Sequence, residues 1–187
     1  TILDMLNAVP LISISGEIGV KKFSLLQRLM TSLDVSMALE REPLGSAYYA
    51  KPQEELLKGH VRGWLRDLMP SDASRRYYGF KELVGPRHGL DVPRLLELFG
   101  SSVRVVRNYR KDINSQAQSG FYQYTKNTFN KLVNITALLM KQTQHVPCFD
   151  LPLESFSVQN FNRLLSFLNI YNCSFTRIVH AHAHGTY

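Results

Sequence analysis

Apolar residues recur at helical spacing from the first positions: Ile2, Leu3, Met5 and Leu6 predict a helix over about residues 1–8, with no capping or turn chemistry ahead of it. The run "LISIS" at 11–15 is β-branched, ends at Gly16 and reads as a strand. Phe23, Leu26, Leu29, Met30 and Leu33 then trace one face of a helix over 21–33. Periodicity lapses over 34–51, where Pro43, Gly45 and Tyr48-Tyr49 mark an irregular stretch. It returns at 52–69 as a helix with Pro52 at its first position and acids in its first turn. The rest reads as a strand at 75–83, a loop at 84–91, a helix at 92–100 stopped by Gly100, and a strand at 103–108. A short helix at 111–119 precedes a longer one at about 124–143 carrying Phe129, Leu132, Val133, Ile135, Leu139 and Met140. "VPCFDL" holds a short strand, Ser157 caps a helix over 157–170, and "FTRIVHAHAH" is a final extended segment. Strands alternating with helices predict a single α/β domain over 1–187, with a mainly parallel sheet covered on both faces.

Composition agrees with one packed core: 187 residues, 44% hydrophobic and 20% charged, with no internal repeat or low-complexity tract. Charge adds direction. Lys plus Arg number 22 against 15 Asp plus Glu, and the net +7 favours an anionic partner: a nucleotide, a nucleic acid, an anionic sugar or a headgroup. Cys148 and Cys173 are too few for a disulfide framework and lack zinc-site spacing; they either pair with each other or remain thiols. No apolar run approaches the roughly 20 residues of a membrane span. Asn134-Ile-Thr136 and Asn172-Cys-Ser174 fit the glycosylation pattern, which matters only in a secretory compartment.

The densest candidate chemistry lies in "RVVRNYRKDINSQAQSGFY", 104–122, where a strand exits through Arg107, Arg110 and Lys111 into a helix bearing Ser115 and Ser119. In parallel α/β sheets, ligands bind beyond the C-terminal ends of strands. A strand-to-helix turn there offers backbone N–H groups to an anion, the two arginines and the lysine add charge, and serines four apart share one helix face. The same residues also fit a solvated helix start with incidental serines.

"RNYRKDINSQAQSGFY" resembles the 3′-phosphate-binding segment of sulfotransferases, in which a basic residue after a strand and a serine about two helical turns later hold the 3′-phosphate of 3′-phosphoadenosine-5′-phosphosulfate (PAPS). "MLNAVPLISISGE" resembles the family's first helix running into its second strand and a Gly-Glu; "YYGFKEL" its Gly-Phe-Lys-Glu strand; "FDLPLESFSVQNFNRLLSFLNI" its late strand, Leu-Glu and terminal helix. The similarity covers nearly all of the chain, in order. It implies a P-loop nucleotide hydrolase-like fold and transfer of a sulfuryl group from PAPS to a hydroxyl or amine acceptor, with carbohydrate the first expectation and no metal needed. Arg110 and Ser119, assisted by Lys111, would hold the 3′-phosphate; counting eight residues back from each serine also pairs Ser119 with Lys111 and Ser115 with Arg107.

The family's phosphosulfate-binding loop would fall immediately before Thr1, so the resemblance describes either a fragment or a truncated member lacking its first strand and loop. Without that loop, catalysis would lose several kcal/mol of transition-state stabilisation, roughly 3–4 for one oxyanion donor alone. Glu17, at the exit of the strand at 11–15, is the candidate base by position and by resemblance, and it also fits a helix-start acid. Lys81 and Glu82 follow a strand as charge stabiliser and second acid or acceptor-binding group; adjacent strand residues point to opposite faces, so at most one of the two would face the ligand unless the strand has already ended. Tyr48, Tyr49, Tyr77, Tyr78, Phe121 and Tyr122 offer stacking surface or core. His180, His182 and His184 share a face, but same-face strand positions about 7 Å apart make one three-histidine metal site difficult. The rival reading is an inactive nucleotide-binding or nucleic-acid-binding module, although no nucleic-acid motif is present and the basic residues form no stripe. Bacterial-type kinship would imply a cytoplasmic protein, and a longer eukaryotic protein the Golgi lumen.

Overall fold

The computed structural model describes residues 2–16, 54–67, 74–81, 92–118 and 128–179. The helix expected at 21–33 and the loops at 34–51 and 84–91 lie outside the described residues. Helix α1 (Ile2–Asn7) buries Met5 and Leu6, and a tight turn with Ile12 N–H bonded to the Val9 carbonyl (2.9 Å) leads into strand β1 (Ile12–Ser15). Helix α2 (Glu54–Asp67) precedes strand β2 (Tyr77–Phe80), which pairs in parallel with β1 from Ile12↔Tyr77 to Ser15↔Phe80. Gly79 lies opposite Ile14, whose Cδ1 would sit 2.9 Å from a Cβ there, so the glycine makes room for that side chain.

Helix α3 (Val92–Phe99) ends where Gly100 takes φ +63°, a left-handed conformation that favours glycine, and a 3-10 turn (Gly100–Ser102) follows. Strand β3 (Val105–Arg107), helix α4 (Ile113–Gln118), helix α5 (Thr128–Thr143) and strand β4 (Cys148–Asp150) come next, with β3 and β4 parallel and Arg107 opposite Asp150. A 3-10 turn (Leu153–Ser155) leads to helix α6 (Val158–Phe167). Ser157 caps α6 by accepting from the Asn160 N–H (3.2 Å).

The architecture is mixed α/β with parallel pairing, as the alternation predicts. The expected single sheet is, among the described residues, two separate two-stranded sheets, β1–β2 and β3–β4. The outer edge of β1 is closed by a side chain: the Asn7 amide donates to the Ile14 carbonyl (2.9 Å) and accepts from the Ile14 N–H (2.7 Å), standing in for a neighbouring strand. The final extended segment forms no strand over residues 175–179.

One apolar core holds both pairs. Met5, Leu6, Val9 and Ile12 pack with Leu151, Phe161, Leu164, Leu165, Leu168 and Ile170, and Ile14, Tyr77, Val106 and Phe149 lie against that cluster. The contributions of α6 and its C-cap recur at 161, 164, 165 and 168, the spacing of one helical stripe, and each fully buried side chain there contributes about 1.5–3 kcal/mol. Phe161 meets Phe156 and Phe175 edge-on at 5.3 and 5.8 Å between centroids. The Tyr77 hydroxyl donates to the Leu168 carbonyl and Arg76 Nη1 to that of Asn169 (3.2 Å), tying β2 to the end of α6. The strand pairs are thus joined through side chains and this shared core.

Candidate functional site

Beyond their last paired residues, β3 and β4 continue side by side. Leu151 N–H donates to the Arg107 carbonyl (2.9 Å), Leu153 N–H to that of Tyr109 (2.8 Å), and Asn108 Nδ2 to that of Leu151 (2.8 Å). One residue further, the Glu154 carboxylate accepts from the Lys111 N–H (3.1 Å to each oxygen) and from the Asp112 N–H (3.3 Å). These backbone donors, the Lys111 N–H foremost, hold the Glu154 carboxyl below its ordinary pKa. The turn amides expected to be open to an anion are therefore already occupied by an internal one.

Arg107 is also engaged. Its Nε and Nη2 donate to the two Asp150 oxygens at 2.6 and 2.7 Å, and Nη1 reaches Thr143 Oγ1 at 3.2 Å. The Asp150 hydrogen bonds raise the guanidinium pKa, and the side chain braces β3, β4 and the end of α5. Thr143 is buried and donates to the Leu139 carbonyl (2.6 Å). Ser115 turns its hydroxyl to Asp112, whose Oδ1 accepts from the Ser115 N–H (3.0 Å) and caps α4. The Ser115 hydroxyl is the main reason the Asp112 carboxyl lies below its ordinary pKa.

Arg110 differs from its neighbours. It is half-buried at the C-terminal side of the β3–β4 pair, and its guanidinium has no hydrogen bond or ion pair with a described residue. Its charge nevertheless helps hold both the Asp112 and Glu154 carboxyls down. Lys111 is exposed beside it, with its backbone held by Glu154. Lys81 lies where β1 and β2 end together, its N–H donating to the Ser15 carbonyl (3.0 Å). Ser119, Glu17 and Glu82 lie outside the described residues, as do Tyr48, Tyr49, Phe121, Tyr122, His180, His182 and His184. Tyr77 and Tyr78 are half-buried in β2, with Tyr77 turned onto the core. Cys148 and Cys173 are both free, and burial pushes the Cys148 thiol up. Among the described residues no group of His, Cys, Asp and Glu is placed to hold a metal ion.

Glu154 has a role in the fold that residue spacing alone does not reveal. A signal for it exists: Arg107 and Lys111 stand 43 residues before Asp150 and Glu154, so opposite charges align twice at one offset once the strands are paired. No protein-family model, curated protein or solved structure matches the chain.

Proposed function

We propose that this chain is a sulfotransferase-like domain of P-loop nucleotide hydrolase-like fold that binds PAPS and passes its sulfuryl group to a hydroxyl-bearing acceptor, carbohydrate by preference. The observation that carries the reading is Arg110, a half-buried cation with no hydrogen bond or ion pair to a described residue, at the C-terminal side of a parallel pair and on a turn fastened on both flanks. The segments that resemble the family also fall on the element types they resemble: helix into strand at α1–β1, strand at β2, strand into helix at β3–α4, and strand, turn and helix at β4–α6. Arg110 and Lys111 would take the 3′-phosphate, with Ser119 as the hydroxyl partner by resemblance. In the transfer, the acceptor oxygen bonds to sulfur in line as the bond from sulfur to the bridging phosphate oxygen breaks. The acceptor proton passes to Glu17, and adenosine 3′,5′-bisphosphate leaves. Lys81, with Glu82 next to it in sequence, would serve the same cleft from the end of β2.

The second reading, an inactive nucleotide-binding or nucleic-acid-binding module, draws on the turn amides and Arg107 being occupied internally. Thermal unfolding with adenosine 3′,5′-bisphosphate, against AMP and ADP, tests binding on this chain. Ligand at about 100 times its dissociation constant adds roughly 2.7 kcal/mol of stability. A selective shift that Arg110→Ala removes supports the proposal. A folded sample with no shift overturns it, and oligonucleotide affinity that falls steeply with salt favours the module.

A further inference from the structure

Arg110 sits between two fastened backbone positions. On one side the Tyr109 carbonyl accepts from the Leu153 N–H at 2.8 Å; on the other the Lys111 N–H donates to the Glu154 carboxylate at 3.1 Å. Glu154 also gathers the Asp112 N–H at 3.3 Å, so one side chain from beyond β4 sets the path of the chain across 110–112. Its negative charge near a basic turn has two opposed consequences for an incoming phosphate. As a charge it repels the ligand; as an acceptor it fixes the backbone that carries Arg110. The charged groups around it are Arg110, Lys111 and Asp112.

We propose that Glu154 is a positioning residue for Arg110, holding the 110–112 turn so that the guanidinium is presented to the ligand's 3′-phosphate. This rests on the PAPS-binding reading above. Preorganisation outweighs repulsion here because both Glu154 oxygens are turned to backbone amides, which offset their charge, and because an unfastened turn would have to be ordered on each binding event.

Calorimetric titration of the 187-residue chain with adenosine 3′,5′-bisphosphate and with AMP tests the assignment. Glu154→Ala is expected to weaken bisphosphate binding about tenfold, the scale of one hydrogen bond to a charged group, and to leave AMP binding unchanged. Glu154→Gln, whose amide oxygen can still accept from the Lys111 N–H, should retain affinity within about threefold of the parent. Glu154→Asp keeps the charge but draws it back from the amides, so it should weaken binding as Glu154→Ala does. In the Arg110→Ala background, Glu154→Ala should cost nothing further, a coupling that a merely structural role does not produce. Tighter or unchanged binding by both Glu154→Ala and Glu154→Asp overturns the positioning role, as does an equal loss for AMP. Absence of bisphosphate binding by the folded parent chain overturns the PAPS reading itself, and this assignment with it.

Discussion

The pair Arg107–Asp150 lends itself to a quantitative test because it decides whether the Arg107 guanidinium is held by the fold. Both guanidinium-to-carboxylate contacts are short, 2.6 and 2.7 Å, and the side chains are unequally covered, 15% exposed for Arg107 and 45% for Asp150. Fully exposed pairs couple by about 0.2–1 kcal/mol, and breaking fully buried ones costs about 3–5. Bidentate geometry raises the value, while the exposure of Asp150 lets water screen it. The expected coupling is about 1–2 kcal/mol. A double-mutant cycle of Arg107→Ala and Asp150→Ala, read by urea unfolding, measures it, and repetition in 1 M salt should remove only part of it. A coupling under about 0.3 kcal/mol would falsify the brace. The same variants report on the ligand. If Arg107 acts only as a brace, whatever bisphosphate affinity is lost in Arg107→Ala should be lost equally in Asp150→Ala. A loss confined to Arg107→Ala would assign that residue to the phosphate.

Further expectations concern the core, the caps and titration. Phe161→Ala should cost about 3–5 kcal/mol in urea unfolding, since its ring is fully buried between Phe156 and Phe175; a cost below about 1 kcal/mol would contradict the packing. Ser157→Ala removes the α6 cap and should cost about 1 kcal/mol, with Ser157→Asp recovering most of it in the same assay. Glu154 and Asp112 have depressed folded-state pKa values, so their contribution is full above the ordinary carboxylate range and is lost as pH falls through the folded values. The stability gap between the parent and Glu154→Gln should accordingly shrink from neutral to acid pH, and a gap that widened would reverse the sign. Burial raises the Cys148 thiol, so native chain should alkylate there more slowly than urea-unfolded chain at the same pH, read by mass spectrometry.

Element types along the described residues are legible because each depends on local spacing. The lengths are less so. Within the described residues, the strand expected at 75–83 pairs over Tyr77–Phe80 and that at 103–108 over Val105–Arg107. The helix expected from 111 begins at Ile113, since Asp112 is spent as its cap, and α6 stops at Phe167 ahead of Asn169 in a left-handed conformation. The division into two strand pairs among the described residues is a matter of which distant segments meet, and periodicity carries no such information. The same holds for the site. Charge at 107–111 is visible in sequence, whereas the brace at Arg107 and the fastened turn that carries Arg110 depend on Asp150 and Glu154, more than 40 residues on. Ser115 reads as an anion donor by spacing but is claimed by Asp112, three residues away.

The core joins residues early in the chain to residues late in it: Met5, Leu6 and Ile12 close against α6, and the Val179 N–H reaches Met5 Sδ at 3.2 Å. On a ribosome adding about 5–20 residues per second, those early side chains wait on the order of 10 s for Phe161 to be made. During that interval their apolar surface is open to other nascent chains, and β1 has no finished layer to lie on. Synthesis that stops short of α6 therefore releases a polypeptide without its core rather than a smaller folded unit, and the yield of intact protein depends on how well the cell shields the unfinished one.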